Sequence, residues 1–224
     1  MKAPRALLFD LDGTLVDSRG DIAAACNAAL VAHGRAALTL EAVSPMIGDG
    51  ARLLITRALA ASAAREGTPP ALDHVVASFH AYYLAHPCVL TTLLPGAREV
   101  LGEATRDRLP CALITNKPRE VTLALLEALG LSTTFAAVWA GGDGPLKPAP
   151  DGLRWALARL GVAGDAAWMI GDGPQDVGAG KAAGCVTVGI PGIAEAERLS
   201  ASGPDLTCAS LHELRAELAR VTPA

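Results

Sequence analysis

Residues 10–15 have the sequence DLDGTL, and they follow directly on the apolar run 6–9. A short apolar run that ends in a polar segment is typical of a buried strand. Residues two apart in extended backbone face the same side, so Asp10 and Asp12 can present their carboxylates together. Two close carboxylates repel each other unless a cation or a shared proton compensates their charge. The segment predicts a strand ending in an acidic site, the alternative being a solvated acidic turn.

Further apolar runs follow, and each ends at a small or polar residue. They occupy residues 111–114, 136–140, 167–170 and 185–188. Segments rich in alanine and leucine lie between them and predict helices over 95–106, 120–129, 151–160 and 174–183. Such alternation predicts an α/β fold with a doubly wound, Rossmann-like parallel sheet and helices on both faces. The tail 206–218 predicts one more short strand and a helix.

The interval after the first strand breaks this alternation. About 80 residues separate the first strand from the helix predicted to begin at residue 95, and they show helical patterning without a convincing strand. The predicted helices cover residues 21–32, 40–46, 51–64 and 72–85. We expect a helical cap domain, residues 16–92, inserted into an α/β core made of residues 1–15 and 93–224. The two connections, near 16–18 and 91–94, would form a hinge.

Composition and charge exclude several classes of protein. The 224 residues are 51% hydrophobic and 19% charged, which is the balance of a globular protein and not of a disordered one. The formal charge is −4 and no segment concentrates Lys and Arg, so nucleic acid is not expected as a partner. No apolar run approaches the ~20 residues of a membrane span. The N-terminus lacks the apolar run of a secretory signal, so we expect a cytoplasmic protein.

The cysteines do not form a metal-binding or disulfide pattern. The chain has five cysteines, an odd number, which are widely scattered and contain no C-x-x-C pair. A structural zinc site and a secreted disulfide scaffold are therefore not expected. We predict that the cysteines are reduced residues of the core.

A second acidic pair follows the apolar run 167–170. Asp172 and Asp176 lie in the segment GDGPQD, and the carboxyl ends of parallel strands meet at one edge of a sheet. These carboxylates should therefore converge with that of Asp10. Ligand sets made only of oxygen favour Mg²⁺ over zinc. A helix-capping role of Asp172 is the alternative for that residue taken alone.

Two further segments offer polar groups to the same edge. Thr115 and Asn116 follow a strand in TNKP, where a hydroxyl and free backbone N–H groups could face an anion such as phosphate, or only cap a helix. Lys147 lies in a proline-restricted loop, LKPAP. Only four of the 19 basic residues are lysine, so this chain normally places arginine at basic positions. Lys147 is therefore predicted to supply a compact charge beside the carboxylates.

The order of these motifs identifies a resemblance. The series D-x-D-G-T, T-N-K-P, K-P-x-P and G-D-x-x-x-D resembles the haloacid dehalogenase-like superfamily of aspartate-nucleophile phosphatases, over nearly the whole chain. The helical insertion, the segment YYLAH at 82–86 and GGD at 141–143 look like those of bacterial phosphoglycolate phosphatases. Related sugar-phosphate phosphatases and mutases share most of these features.

The resemblance implies a two-step reaction. Asp10 would attack phosphorus and form an aspartyl phosphate. Asp12 would be the general acid for the leaving group and then the general base for the attacking water.

The resemblance also implies a ligand set. The carboxylates of Asp10 and Asp172 and the backbone carbonyl of Asp12 would hold Mg²⁺, with Asp176 as an outer-sphere or orienting partner. The transferring phosphoryl group would be held by Thr115, the backbone of Asn116 and Lys147. Many relatives have serine where this chain has Gly173, so the metal coordination could be less rigid here.

The helical insertion is expected to select the substrate. Asp49 and Arg52 lie at a Gly-Asp-Gly turn before a helix, where a small carboxylate could bind, or they form an ordinary interhelical turn. The expected substrate is a small phosphorylated metabolite, with 2-phosphoglycolate preferred. The alternatives are another sugar-phosphate phosphatase, a β-phosphoglucomutase-like enzyme and, remotely, a non-catalytic phospho-aspartate regulatory module. A monomer or a homodimer is expected.

We predict that Asp10→Asn folds like the parent and loses turnover of phosphate esters by at least about a thousandfold, the scale of removing a catalytic nucleophile. The amide cannot replace the carboxylate as nucleophile. Thermal unfolding and phosphate release measure the two properties. Turnover at the parental rate would contradict the assignment of Asp10 as the nucleophile.

Overall fold

The computed structural model describes residues 2–63, 70–192 and 196–221. The strands are β1 (Ala6–Phe9), β2 (Val16–Asp17), β3 (Thr92–Leu93), β4 (Cys111–Pro118), β5 (Ala137–Gly141), β6 (Ala167–Gly171), β7 (Val186–Gly189) and β8 (Leu206–Thr207). The helices are α1 (Arg19–Ala32), α2 (Leu40–Val43), α3 (Ala51–Ala61), α4 (Leu72–Ala85), α5 (Ala97–Arg106), α6 (Arg119–Ala128), α7 (Asp151–Leu160), α8 (Pro174–Ala183), α9 (Ala196–Ser202) and α10 (Leu211–Val221).

The central element is a six-stranded parallel sheet with the strand order β5-β4-β1-β6-β7-β8. Strand β1 lies inside the sheet and pairs with β4 on one side and β6 on the other. All four of its residues are fully buried, because helices cover both faces of the sheet. A strand buried on both faces needs apolar side chains throughout, which explains why the strands appear in the sequence as continuous apolar runs. The predicted α/β doubly wound fold is confirmed.

The predicted strand at 111–114 is longer in the structure. Strand β4 continues to Pro118, and its pairing with β5 shifts register between Ile114 and Pro118. Polar residues 115–117 occupy this irregular extension. The apolar run ends at residue 114, so the sequence pattern did not indicate that the strand continues. Helix α9 was not predicted, because it is short and only one of its residues, Leu199, is buried.

The helical insertion is the segment that carries α1 to α4 between β2 and β3. Its buried apolar side chains form a cluster of their own, which also includes Val121 of α6. The predicted helix 40–46 is α2 followed by a 3-10 turn, Ser44–Met46. The predicted helix 51–64 ends at Ala61, and Ala64 lies outside the described residues. The division into domains at residues 16–92 stays a prediction.

The two connections of the insertion pair with each other, which corrects the expectation that this interval lacks a strand. Val16 pairs with Leu93 and Asp17 with Thr92 in an antiparallel ladder, β2–β3. Each strand has two residues, too few to produce an apolar run that sequence reasoning could detect. The paired connections fix where the insertion joins the core.

Asp21 joins α1 to the second connection. Its buried carboxylate accepts hydrogen bonds from the backbone N–H groups of Val89, Leu90 and Thr91 at 2.9 to 3.0 Å. The Thr91 hydroxyl also donates to it, at 2.6 Å. One side chain therefore satisfies several donors of a non-repetitive segment.

Other expectations of the sequence concern the cysteines and the membrane. All five cysteines are free, four of them are buried and Cys88 is half-buried, which confirms the core assignment for four. Within the described ranges, no helix has the length and apolar character that a bilayer crossing requires.

We predict that Asp21→Ala lowers the free energy of unfolding by about 3 kcal/mol, because the donors that face the carboxylate lose their acceptor. Urea denaturation followed by circular dichroism measures the change. The exposed Asp165 offers the matched control, and Asp165→Ala should change stability by less than about 0.5 kcal/mol. Equal effects of the two substitutions would refute the role of Asp21.

Candidate active site

The candidate site lies at the carboxyl ends of the central strands. Asp10 follows β1, Thr115 lies near the end of β4 and Asp172 follows β6. Because these strands are parallel neighbours, their ends meet at one edge of the sheet. The loop after β5 brings Lys147 to the same edge, and the first turn of α8 brings Asp176. The structure thus brings together the core residues predicted from the motifs.

Lys147 connects two of the carboxylates. Its buried ammonium donates to Asp10 Oδ1 and to Asp176 Oδ1, each at 2.6 Å. Burial works to lower the pKa of Lys147, but the charges of Asp10 and Asp176 outweigh it and raise that pKa above its ordinary value. Lys147 therefore carries a fixed positive charge between the two carboxylates.

The Asn116 side chain holds the loop of Lys147. Asn116 Oδ1 accepts from the Lys147 backbone N–H at 2.8 Å, and Asn116 Nδ2 donates to the Lys147 carbonyl at 3.0 Å. The same Nδ2 donates to the carbonyl of Gly48 in the helical insertion at 2.9 Å. Sequence reasoning had considered only the backbone of Asn116. Its side chain positions Lys147 and ties the insertion to the core.

A group of three carboxylates could hold a metal ion. Asp10, Asp172 and Asp176 each offer one oxygen, and these oxygens lie within 4.8 Å of one another. The Thr14 hydroxyl donates to Asp172 Oδ1 at 3.3 Å, and the Gly173 backbone N–H donates to Asp176 Oδ2 at 3.0 Å. The donor atoms are all hard oxygens, which suits Mg²⁺ better than a thiophilic metal.

The electrostatics of this group favour an additional cation. Burial raises the pKa of Asp10 to about 7, with the negative charges of Asp176 and Asp12 adding to the rise and Lys147 opposing it. Burial, together with the charges of Asp10 and Asp176, also holds the pKa of Asp172 well above its ordinary range. A bound cation would stabilise the ionised form of each carboxyl group.

Asp12 is oriented by two donors. Its Oδ1 accepts from the Ser18 hydroxyl at 2.5 Å and from the Lys117 ammonium at 2.8 Å. Among the described residues, no side chain or backbone donor bonds its Oδ2. One carboxylate oxygen is therefore held, while the other is available to a substrate or to water.

Sequence reasoning missed Lys117 as a site residue. Its ammonium is buried, bonds Asp12 and also donates a hydrogen bond to the Tyr83 hydroxyl of the insertion. It lies 4.4 Å from the centroid of the Tyr83 ring. Burial works to lower the pKa of Lys117, but Asp12 and Tyr83 outweigh it and raise that pKa above its ordinary value. The scarcity of lysine in the chain was the one signal that could have found it.

A small cavity of about 50 Å³ lies over Asp10 and Asp12. It is lined by Asp10, Asp12, Ile22, Ile47, Gly48, Gly50, Ala51, Leu54, Phe79, Tyr83, Thr115, Asn116, Lys117 and Pro118. Core residues supply its polar floor and the insertion supplies most of its apolar walls. The closed insertion therefore limits the size of any molecule that reaches Asp10 from this side.

A second cavity, of about 210 Å³, borders Asp12 on the side of Asp172. Asp172 and Gly192 of the core and Ser18 and Arg19 at the start of the insertion contribute to its lining. Water-sized molecules can occupy this cavity beside the carboxylates of Asp12 and Asp172.

The side chains of Asp49 and Arg52 are not brought to the small cavity. Asp49 pairs with Arg57 at 2.7 Å, and the exposed Arg52 pairs with Asp73 at 2.5 Å. The turn instead directs the backbone of Gly48 and Gly50 toward the core. Substrate binding by these two side chains stays a prediction that their placement does not favour.

Gly173 is the position where the resemblance leads us to expect serine, and Gln175 occupies the adjacent space. A Cβ atom at residue 173 would lie 2.4 Å from Gln175 Nε2. Because the end of a glutamine side chain can move, the closeness does not forbid a side chain at this position. The backbone N–H of Gly173 still bonds Asp176, so the orientation of that carboxylate does not need a serine hydroxyl.

The backbone of Gly13 packs closely against the carboxylate of Asp172. Its φ of +87° lies in the left-handed region, and a Cβ atom there would lie 2.1 Å from Asp172 Oδ2. Only glycine combines this backbone conformation with so close an approach to the carboxylate.

Comparisons with known proteins agree with this geometry. A family model described as haloacid dehalogenase-like hydrolase matches residues 7–190. A phosphoglycolate phosphatase of Rhodospirillum rubrum is 40% identical, over 83% of this chain and 78% of the relative. The phosphoglycolate phosphatase of Escherichia coli K12 is 36% identical, over 94% of this chain and 90% of the relative.

A solved structure has the same fold. The crystal structure of a predicted phosphoglycolate phosphatase from Haemophilus somnus 129PT superimposes with a TM-score of 0.89 and 27% sequence identity. The superposition covers 97% of this chain and 99% of that one. The likeness therefore includes the helical insertion as well as the sheet.

We predict that Gly13→Ala lowers kcat/KM for a phosphate ester by at least about 100-fold, because the new methyl group displaces the Asp172 carboxylate from its place beside Asp10 and Asp176. Gly34→Ala is the matched control: Gly34 also has a left-handed φ, +70°, but a Cβ atom there meets no atom within 4 Å. Both substitutions should cost about 1 kcal/mol of stability through the backbone. Parallel activity and stability measurements separate the two effects. Equal activity of the two variants would contradict the importance of the Gly13–Asp172 contact.

Proposed function

The chain belongs to the haloacid dehalogenase-like hydrolase family, and on that premise we propose that it is a Mg²⁺-dependent phosphatase that hydrolyses 2-phosphoglycolate to glycolate and phosphate. The observation that carries the proposal is the buried contact of Lys147 with Asp10 and Asp176 at the end of the sheet. It supports the proposal because the carboxylate of Asp10, the proposed nucleophile, lies beside a fixed cation that can also attract a phosphoryl group. The named relatives support the choice of substrate.

In the first step a carboxylate oxygen of Asp10 attacks phosphorus. A new bond forms between that oxygen and phosphorus, while the bond from phosphorus to the ester oxygen breaks. Protonated Asp12 gives its proton to the departing ester oxygen, so that glycolate leaves as an alcohol. The Ser18 and Lys117 contacts on Oδ1 leave Oδ2 of Asp12 free to carry that proton.

In the second step water attacks the phosphorus of the aspartyl phosphate. Asp12, now a carboxylate, takes a proton from this water, the bond between Asp10 and phosphorus breaks, and inorganic phosphate forms. Asp10 returns to its carboxylate form and Asp12 to its protonated form. The second cavity provides the space beside Asp12 from which water can approach.

The transferring phosphoryl group is bound at the ends of β4 and β5. The Thr115 hydroxyl, the backbone of Asn116 and the Lys147 ammonium are its proposed partners. In phosphoryl transfer the protein contributes chiefly by positioning and by stabilising charge. Asn116 adds to this by holding Lys147 through two hydrogen bonds to its backbone.

The residues present fit Mg²⁺ by charge as well as by ligand type. Three carboxylates, those of Asp10, Asp172 and Asp176, lie around one ammonium group, that of Lys147. The excess of negative charge is what a divalent cation neutralises. Asp10, Asp172 and the backbone carbonyl of Asp12 would hold the ion, and Asp176 would orient the site through Lys147. When bound, the ion stabilises negative charge on the phosphoryl oxygens.

The size of the small cavity favours a small leaving group. Its volume of about 50 Å³ holds about three or four water molecules by the same measure. A two-carbon acid such as glycolate fits this scale better than a hexose. The closed insertion therefore supports 2-phosphoglycolate over the sugar-phosphate and β-phosphoglucomutase-like alternatives.

We predict that phosphate release from 2-phosphoglycolate exceeds release from β-glucose 1-phosphate by at least about 100-fold in kcat/KM, a difference of about 2.7 kcal/mol in transition-state binding. Excess chelator should abolish release, and added Mg²⁺ should restore it. Mg²⁺ should also raise the Tm of the parent and not that of Asp172→Asn, with Asp165→Asn as the matched control.

The outcomes separate the parts of the proposal. Comparable hydrolysis of many esters would refute the choice of substrate and leave the phosphatase chemistry. A lack of release from every ester in the presence of Mg²⁺ would refute the phosphatase assignment. Undiminished release in chelator would refute the metal requirement.

A further inference from the structure

We propose that Lys117 and Tyr83 form the site that binds the carboxylate of the substrate. This inference rests on the proposed function and specifies how the leaving group of 2-phosphoglycolate is recognised. It assigns substrate selection to one residue of β4 and one residue of α4, in place of the Asp49 and Arg52 side chains.

Lys117 is the one cation that lines the small cavity among the residues the structure describes. A carboxylate entering this cavity comes close to the carboxylate of Asp10, which repels it. Such an anion needs a fixed positive charge of its own. Ile22, Leu54 and Phe79 line the walls and cannot supply one. The burial of Lys117 and its two bonds hold the ammonium in place before a ligand arrives.

Lys117 and Tyr83 both retain a donor for a ligand. An ammonium group has three N–H donors, and the Lys117 contacts with Asp12 and Tyr83 use two of them. The Tyr83 oxygen accepts from Lys117, so its own hydroxyl hydrogen is free to donate. Across the described part of the chain, this hydrogen has no acceptor. A carboxylate between the two groups would receive one hydrogen bond from each.

The spacing along β4 suits a short substrate. Thr115, a proposed phosphoryl partner, and Lys117 are two residues apart on β4, and both line the small cavity. The phosphoryl group and the carboxylate of 2-phosphoglycolate are joined through only the ester oxygen and one methylene carbon, so one small molecule can contact both residues. Gly50 and Ala51, at the start of α3, also line the cavity, and no side chain caps the N-terminus of this helix.

Lys117 thereby serves two groups at once. It orients Asp12, which the reaction needs for every ester, and it binds the carboxylate, which only some esters possess. The two roles can be separated by comparing 2-phosphoglycolate with 2-hydroxyethyl phosphate, which is of similar size and lacks the carboxylate. A loss through Asp12 affects both substrates alike, whereas loss of carboxylate binding affects only the first.

The test measures kcat/KM for both esters in the Mg²⁺-loaded enzyme and its variants. Lys117→Met should lower the preference for 2-phosphoglycolate over 2-hydroxyethyl phosphate by about 10- to 100-fold, the scale of a hydrogen bond to a charged group. Tyr83→Phe should lower it by about threefold to tenfold. Lys117→Arg should restore part of the preference. The exposed Lys181 is the matched control, and Lys181→Met should leave the preference unchanged.

Several results would overturn the proposal. An equal fall on both esters in Lys117→Met and an unchanged preference in Tyr83→Phe would show that Lys117 serves Asp12 alone. Tyr83→Phe keeps the buried lysine, so it decides the matter even if Lys117→Met fails to fold. A wild-type enzyme that hydrolyses both esters equally would refute carboxylate recognition while preserving the phosphatase function. Hydrolysis of neither ester would refute the proposed function itself.

Discussion

The compensation of buried negative charge is the constraint on which the rest of this structure depends. A parallel sheet brings the carboxyl ends of β1 and β6 together, and the chain places aspartates at both. Burying such groups without cations is costly, and the pKa of Asp10, raised to about 7, reflects that cost. Two buried lysines, Lys147 and Lys117, offset part of the charge. The negative charge that they leave uncompensated is the physical reason to expect a divalent cation. Such a cation would in turn allow an anionic substrate to bind.

The helical insertion takes part in this charge arrangement. Lys117 bonds Asp12 on the core side and Tyr83 on the insertion side, while Asn116 bonds both Gly48 and the backbone of Lys147. The positions of Asp12, the proposed acid–base group, and of Lys147, the proposed phosphoryl-binding lysine, are therefore linked to the helical insertion. Closure also reduces the space above Asp10 to a small cavity. In this account substrate selection and catalysis share the same few contacts, which is how a lid can admit a small substrate and exclude bulk water.

Sequence reasoning could predict what depends on local pattern. The buried strands appear as apolar runs, and the strand-end residues Asp10, Thr115 and Asp172 follow from the geometry of parallel sheets. The β2–β3 pair could not be found, because two residues carry no periodicity. Lys117 was missed because its two partners are far from it in sequence. Tyr83 belongs to α4, and Asp12 lies in the turn that follows β1. The Gly-Asp-Gly turn was recognised, but the left-handed backbone at Gly48 and Gly50 determines that its main chain faces the cavity.

The central claim is that Asp10 is the nucleophile and becomes phosphorylated. The most direct test quenches the Mg²⁺-loaded enzyme during a single turnover of 2-phosphoglycolate and reduces any acyl phosphate with borohydride. This treatment converts a phosphorylated aspartate into homoserine, which peptide mass spectrometry locates. The account predicts homoserine at residue 10 alone, and none when the substrate is omitted. Homoserine at another aspartate, or turnover with an unmodified Asp10 throughout, would contradict it.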